Sequence, residues 1–249
     1  MTNKYKLSKY LLVLIFFSHG LLAAKKLPDN FYINYELFQF IKLRNVDIEK
    51  TKISSGEIKL EYKSKKNQYD LNVQLRTKNF LKFYGDKRLN SLGAETRSGL
   101  LFKTFIVNDI KRPKKNIRVV YDRKKDKLQV DYKKKGIEKK FVGNLLDIPT
   151  LILQFHFEKS KSKYSFDFTE GKKIRKIEYK KIKNENLKIN GKEYITELYE
   201  GQIHLAKNSK HYVWLSNGIY RIPIKIRFKM NGGLMVDQNL KKTDLKLKK

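Results

Sequence analysis

The chain has 249 residues, no cysteine and a formal net charge of +32. Without cysteine it can form neither disulfides nor thiolate metal sites, so packing alone must stabilise the fold. The charge is typical of nucleic-acid binders, but charged and polar residues alternate with apolar ones in Ile58–Lys63 and Leu128–Lys133, so the charges belong to solvated strand faces. Only ten of the 57 basic residues are arginine, which also argues against nucleic acid as a partner.

Residues 1–24 are predicted to be a cleaved signal peptide. Three lysines precede the apolar run Tyr10–Phe17, which is followed by the break Ser18–Gly20 and the small-residue end Leu21–Ala24. The break leaves fewer than the ~18 continuous apolar residues that a membrane anchor requires, so the anchor is the less favoured alternative. We therefore expect an exported protein, located in the periplasm or secreted.

Strand patterns fill the first half of the remaining chain. Phe31–Leu43 reads as a strand, and Gly56–Lys63 with Tyr69–Arg76 alternates apolar and polar residues around a polar turn, as in a hairpin. Asn79–Tyr84 fits a short strand or a helical turn, and the Gly, Asn and Ser content of Gly85–Gly99 predicts a long connection. The next predicted strands are Leu100–Val107 and the hairpin of Asn116–Asp122 with Lys127–Lys133.

Asp147–Phe157 interrupts the strand pattern with a predicted short helix. Asp147 can cap the first turn, Pro149 is tolerated there, and the following apolar run suits a helix that plugs the sheet. Strands resume afterwards, at Tyr164–Thr169, Ile174–Lys183, Lys192–Glu200, Tyr212–Ser216 and Arg221–Met230.

About 10–12 strands, each with one apolar face, cannot remain a flat sheet in water. We therefore predict a mostly all-β fold: a curled antiparallel sheet or partly open β-barrel with one short helix. The predicted organisation is a signal peptide (1–24), a single β-barrel-like domain (25–240) and a basic tail (241–249).

Basic clusters coincide with several predicted turns. In a meander, turns alternate between the two ends of the sheet, so some clusters are expected to converge on one rim, where anionic envelope components would be attracted. The clusters are Lys63–Lys66, Lys111–Lys115, Arg123–Lys125, Lys133–Lys135, Lys139–Lys140 and the tail from Lys241.

The last third of the chain carries a family resemblance. Trp214-Leu215-Ser216, a short turn and Arg221-Ile222-Pro223-Ile224-Lys225-Ile226 are similar to a pattern of the bacterial domain-of-unknown-function family 3108, and the match is strongest over Tyr212–Asp244. Gly232-Gly233-Leu234 and a closing strand to Asp244 continue the match, and the helix at Asp147–Phe157 also resembles this family. The resemblance implies an exported β-rich domain, and it brings no catalytic residues.

No catalytic constellation is visible in the sequence. His156, His204 and His211 lack metal-ligand spacing, and the carboxylate pair Glu193 and Glu197 stands without a recognisable partner motif. Trp214 suits a core or rim anchor better than a ligand-stacking platform. We expect no enzyme, no cofactor and no metal site, and the sequence does not identify the ligand-binding residues.

Export, one-sided strands, abundant Phe and Tyr and positive charge together favour a non-enzymatic envelope protein that binds a lipid or another amphiphilic ligand. Peripheral contact with a membrane surface fits the same charge. The alternative is an envelope scaffold domain that docks a protein or an anionic glycan.

Overall fold

A computed structural model describes residues 26–41, 52–204, 210–229 and 234–247. The predicted signal peptide (1–24) and the Gly232-Gly233 pair of the family resemblance lie outside these residues. The described chain is mostly strand.

The strands are β1 (Asn30–Ile41), β2 (Ile53–Lys65), β3 (Gln68–Thr77), β4 (Lys87–Thr96), β5 (Gly99–Asp109), β6 (Ile117–Asp122), β7 (Lys127–Tyr132), β8 (Lys135–Lys140), β9 (Leu145–Asp147), β10 (Lys163–Thr169), β11 (Ile174–Ile189), β12 (Lys192–Ile203), β13 (His211–Ser216), β14 (Pro223–Lys229) and β15 (Leu234–Thr243). The α-helix is α1 (Ile148–Phe157), and short 3-10 helices span Asn79–Tyr84 and Pro113–Lys115.

All strands belong to one sheet in which chain neighbours pair. The order runs from β8 back to β1, crosses to β15, and then descends to β9. Every pair is antiparallel except β9 with β10. β8 and β9 are the two edge strands of the sheet. The predicted curled, partly open antiparallel sheet with one short helix is confirmed.

The sheet has 15 strands instead of about 10–12, and β4, β8 and β9 are the strands that the sequence pattern does not predict. The predicted connection Gly85–Gly99 contains β4, whose buried side carries Ser91, Gly93 and Glu95 in place of large apolar residues. At Gly93 a Cβ would lie 2.1 Å from the Leu101 carbonyl oxygen, so the strand needs glycine there. β8 is largely exposed and charged, and β9 has only three residues, directly before α1.

The predicted helix is confirmed and begins where the sequence indicates. The Asp147 carboxylate accepts a hydrogen bond from the Thr150 backbone N–H at 2.8 Å, and the Thr150 hydroxyl accepts one from the Asp147 N–H at 2.9 Å. This reciprocal capping box satisfies two donors that would otherwise be unpaired in a buried helix start.

The sheet extends into the segment assigned to the basic tail. β15 continues past position 240 to Thr243, which pairs with Ile33, and Leu245 is buried. Leu245, which follows the last strand, therefore helps to close the end of the fold at which β15 finishes.

The two ends of the curled sheet differ. We call the end that bears the β2–β3, β4–β5 and β13–β14 turns the closed rim, because Leu27, Ile222 and Leu245 are buried there. We call the other end, which bears the β5–β6, β7–β8 and β10–β11 connections, the open rim.

Candidate functional site

The two faces of α1 meet different surroundings. Leu153 and Gln154 are buried, and the Gln154 amide donates to the Ser98 carbonyl oxygen of the β4–β5 turn at 3.0 Å. Ile148, Leu151 and Ile152, on the other face, are only half-buried although they are apolar and lie inside the curl of the sheet. They face a cavity.

This apolar cavity has a volume of about 430 Å³ and lies between α1 and the sheet. Ile58, Val73, Leu75 and Leu89 form one wall, on β2, β3 and β4. The opposite wall is contributed by β10 to β14, with the apolar residues Phe168, Ile177, Tyr179, Ile203, Val213, Ile226 and Phe228. The volume lies within the range of ~300–1,000 Å³ found for small-molecule pockets.

Few polar groups line the cavity, and most lie toward the open rim. His211 is buried, and its Nε2 lies 3.1 Å from the Tyr179 hydroxyl. Burial raises the pKa of Tyr179 well above its ordinary value, so this hydroxyl stays neutral. Lys210 and Lys229 lie at the same end, beside the partly exposed ring of Phe228.

An ion-paired cluster attaches the C-terminal end of α1 to the sheet. Arg221 Nη1 donates to the Glu158 carbonyl oxygen at 2.8 Å, and Arg221 Nη2 donates to the Glu197 carboxylate at 2.5 Å. Lys181 and the Ser160 hydroxyl also donate to Glu197. Burial opposes ionisation of Glu197, but these donors outweigh it and lower its pKa to about 2.

The N-terminal end of α1 shows the opposite behaviour. Asp147 is fully buried, and burial raises its pKa to about 6 although Thr150 and the charge of Arg123 oppose that shift. The helix is thus anchored at both ends, and its middle presents the apolar face to the cavity.

A second, polar space adjoins the apolar cavity at the open rim. This space, which we call the basic vestibule, has a volume of about 480 Å³ and shares Leu89, Ile148 and Glu170 with the cavity. Its ionisable lining has six basic and two acidic side chains: Lys87, Arg112, Lys115, Lys172, Lys173 and Arg175 with Asp109 and Glu170. The formal excess is four positive charges.

Two of the six cations pair with the two acids. Arg112 Nη2 lies 2.8 Å from Asp109 Oδ2, and Arg175 pairs with Glu170. Burial opposes ionisation of Asp109, but hydrogen bonds from Arg112 hold its pKa below the ordinary value. The Lys172 ammonium lies 3.2 Å from the centre of the Tyr132 ring, across the gap between the two edges of the sheet.

The vestibule continues into a further basic groove of about 740 Å³, with which it shares Ile117 and Tyr132. Lys114, Lys133 and Lys134 line this groove. Residues of the Lys111–Lys115 and Lys133–Lys135 clusters therefore meet at one rim, as the alternation of turns predicts.

The residues singled out in the sequence are dispersed. His156 packs against the Phe157 and Tyr220 rings, and His204 lies on the surface 3.2 Å from Glu178. Trp214 is a buried anchor whose indole N–H donates to Glu185 at 2.5 Å. His211 alone of these residues lines the cavity.

Glu193 and Glu197 also have separate environments, since Glu193 is exposed and Glu197 is buried in the Arg221 cluster. Across residues 26–41, 52–204, 210–229 and 234–247, no group of three or more His, Asp or Glu side chains could hold a metal ion. In those same ranges, no helix is long and apolar enough to cross a membrane.

Sequence comparison places the chain in a family. Residues 39–239 match the family described as "Protein of unknown function (DUF3108)". The chain belongs to DUF3108. No curated protein sequence matches the chain.

A solved structure shares the fold of this DUF3108 chain at low sequence identity. A β-barrel-like protein of the domain of unknown function DUF1849 from Brucella abortus is 13% identical, with a TM-score of 0.55 over 87% of this chain and 98% of that one. A putative outer membrane lipoprotein-sorting protein domain from Vibrio parahaemolyticus is 11% identical, with a TM-score of 0.24 over 90% of this chain and 88% of that one. The first likeness supports the fold alone, and the second is too weak to support an argument.

Proposed function

We propose that this DUF3108 protein is a non-enzymatic envelope protein that binds a lipid or another amphiphilic ligand in the apolar cavity. The observation that supports it is the half-buried apolar face of α1, where Ile148, Leu151 and Ile152 pack against the core on one side and border a cavity on the other. Protein interiors normally pack without such space, because an unfilled cavity forfeits contacts on all its walls.

A hydrocarbon chain would restore those contacts. Each methylene moved from water into the cavity contributes about 0.8 kcal/mol, and both walls and α1 offer apolar side chains to it. Residues 1–24 are predicted to be a signal peptide for export to the periplasm. A protein exported there would meet envelope lipids.

Mass spectrometry of an organic extract tests the proposal on protein purified without detergent from its native envelope. The variant Ile152→Trp fills the cavity, and Ile219→Trp is the control because Ile219 is exposed and lies outside the cavity lining. We expect lipid with the wild type and the control, and little with Ile152→Trp. Equal amounts in all three folded proteins, or none in any, would contradict the proposal.

The alternative function is an envelope scaffold, and the edge strand β8 favours it because its exposed Ile137 and free side could receive a partner. The lysines of β8 oppose strand addition, as edge charges generally do. Cross-linking in cells separates the two functions, since a scaffold requires one dominant protein or glycan adduct.

A further inference from the structure

The basic vestibule lies directly beside the apolar cavity at the open rim. The two spaces share Leu89, Ile148 and Glu170, so a molecule in the cavity that extends past Ile148 enters the vestibule. An occupant of both spaces must have an apolar part and a polar part.

The charge of the vestibule indicates the sign of the polar part. Arg112 and Arg175 are engaged by Asp109 and Glu170, while Lys87, Lys115, Lys172 and Lys173 supply the excess positive charge. Lys115 belongs to the β5–β6 connection, Lys172 and Lys173 belong to the β10–β11 connection, and Lys87 begins β4, yet all four line one space. Clustered ammonium groups attract phosphate, which offers several strong acceptor oxygens.

The charges also complement the cavity in their placement. Among the residues that line the cavity, Glu170 is the one carboxylate, and Arg175 pairs with it where the two spaces meet. The apolar part of a ligand is therefore accommodated beside α1, and the charged part is accommodated toward the β5–β6 and β10–β11 connections.

We propose that the ligand is an anionic amphiphile whose hydrocarbon chain occupies the apolar cavity and whose phosphate headgroup binds the lysines of the basic vestibule. This inference rests on the proposed function, because it requires the cavity to hold the chain. It adds the class of headgroup, its position and the orientation of the ligand.

Calorimetric titration of the full mature chain with three probes tests the inference: myristoyl glycerol phosphate and monomyristoyl glycerol, both below their micelle concentrations, and glycerol phosphate. The first two differ in the phosphate, and the third lacks the chain. We expect the phosphate amphiphile to bind about ten-fold more tightly than the neutral one at low ionic strength. The preference should shrink as added salt screens the vestibule.

Matched lysine variants locate the headgroup. Replacing Lys87, Lys115 and Lys173 together by Gln should reduce the preference to less than about three-fold and leave the affinity for monomyristoyl glycerol unchanged. The control replaces by Gln three lysines that are exposed and lie outside both spaces: Lys180, Lys188 and Lys192. This control should keep the full preference.

The outcomes separate the inference from the function on which it rests. Equal binding of the two amphiphiles, or a preference that survives in the vestibule variant, overturns the headgroup assignment while the cavity still binds a chain. Binding of glycerol phosphate as tight as that of the amphiphile overturns it in favour of a soluble phosphate ligand. If neither amphiphile binds, both proposals fail.

Discussion

The closed rim and the open rim are formed by the same sheet but differ in how their interiors are filled. At the closed rim, Leu27, Ile222 and Leu245 fill the interior, and Arg221 and Glu197 attach α1 to the sheet. At the open rim, apolar side chains line a cavity and lysines surround its neighbour, the basic vestibule. Stability is thus concentrated at one end, and the unfilled apolar surface that a ligand needs lies at the other.

This difference between the rims leads to different expected effects of amino-acid substitutions. Changes at the closed rim should reduce the free energy of unfolding strongly, because its groups are buried and mutually paired. Changes at the open rim should reduce it little and alter ligand binding instead.

The largest effect is expected for Arg221→Met. It removes one of the two cations that pair with the buried Glu197, together with the donor to the Glu158 carbonyl oxygen at the end of α1, so we expect a loss of about 3–5 kcal/mol of unfolding free energy. Urea denaturation measures it. The control Arg76→Met breaks an exposed contact to Glu57 and should cost at most ~1 kcal/mol. Similar losses for both arginines would remove the distinction between the rims.

Alanine substitution on the two faces of α1 is the next test. Leu153→Ala should cost about 2–5 kcal/mol, because Leu153 is fully buried in the packed core. Leu151→Ala should cost about 1 kcal/mol, since Leu151 already borders a cavity. Thermal and urea unfolding of the two variants check the difference, and equal costs would mean that the cavity is filled by the protein itself.

The pH dependence of stability should differ between the two ends of α1. The pKa of Glu197 is lowered from 4.5 to about 2, so its stabilising contribution is present above pH 4.5 and is lost as pH falls toward 2. The pKa of Asp147 is raised from 3.8 to about 6, so its protonated form favours folding and that contribution is lost as pH rises through 6.

Asp147→Asn isolates the second contribution, because Asn retains the helix cap without titrating. We expect the variant to gain about 2–3 kcal/mol of stability relative to wild type between pH 4 and pH 7. Urea unfolding across this pH range measures the change. A constant difference at every pH would show that Asp147 does not titrate in this range.

The smallest effect concerns the ligand chain. Each added methylene should strengthen binding by about 0.8 kcal/mol, or about four-fold, until the cavity is full. Calorimetry with monoacyl glycerols of increasing length measures the increment. An affinity independent of chain length would place the ligand on the protein surface.

The sequence predicts the elements that obey a simple periodicity. The β2–β3 hairpin and the capped start of α1 follow from alternation and from Asp147. It does not predict β4, where Ser91 and Gly93 replace the expected apolar residues, or β8, whose side chains are charged on both faces.

The site was less accessible to prediction than the fold. The pattern shows that Leu151 and Leu153 are both apolar, but only the packing shows that one meets the core and the other meets a cavity. Turn alternation indicates that Lys114 and Lys133 approach each other, and both line the basic groove. Lys172 joins them only because the β10–β11 turn lies against Tyr132, near the opposite edge of the curled sheet.

Methyl NMR tests the central claim most directly. In protein with labelled Ile, Leu and Val methyl groups, titration with myristoyl glycerol phosphate should shift Ile148, Leu151 and Ile152 and give contacts from these methyls to the ligand chain. Leu153 and Leu60, which lie in the packed core, should shift little. Shifts confined to exposed residues such as Ile137 and Ile182, with no ligand contacts to α1, would contradict the account.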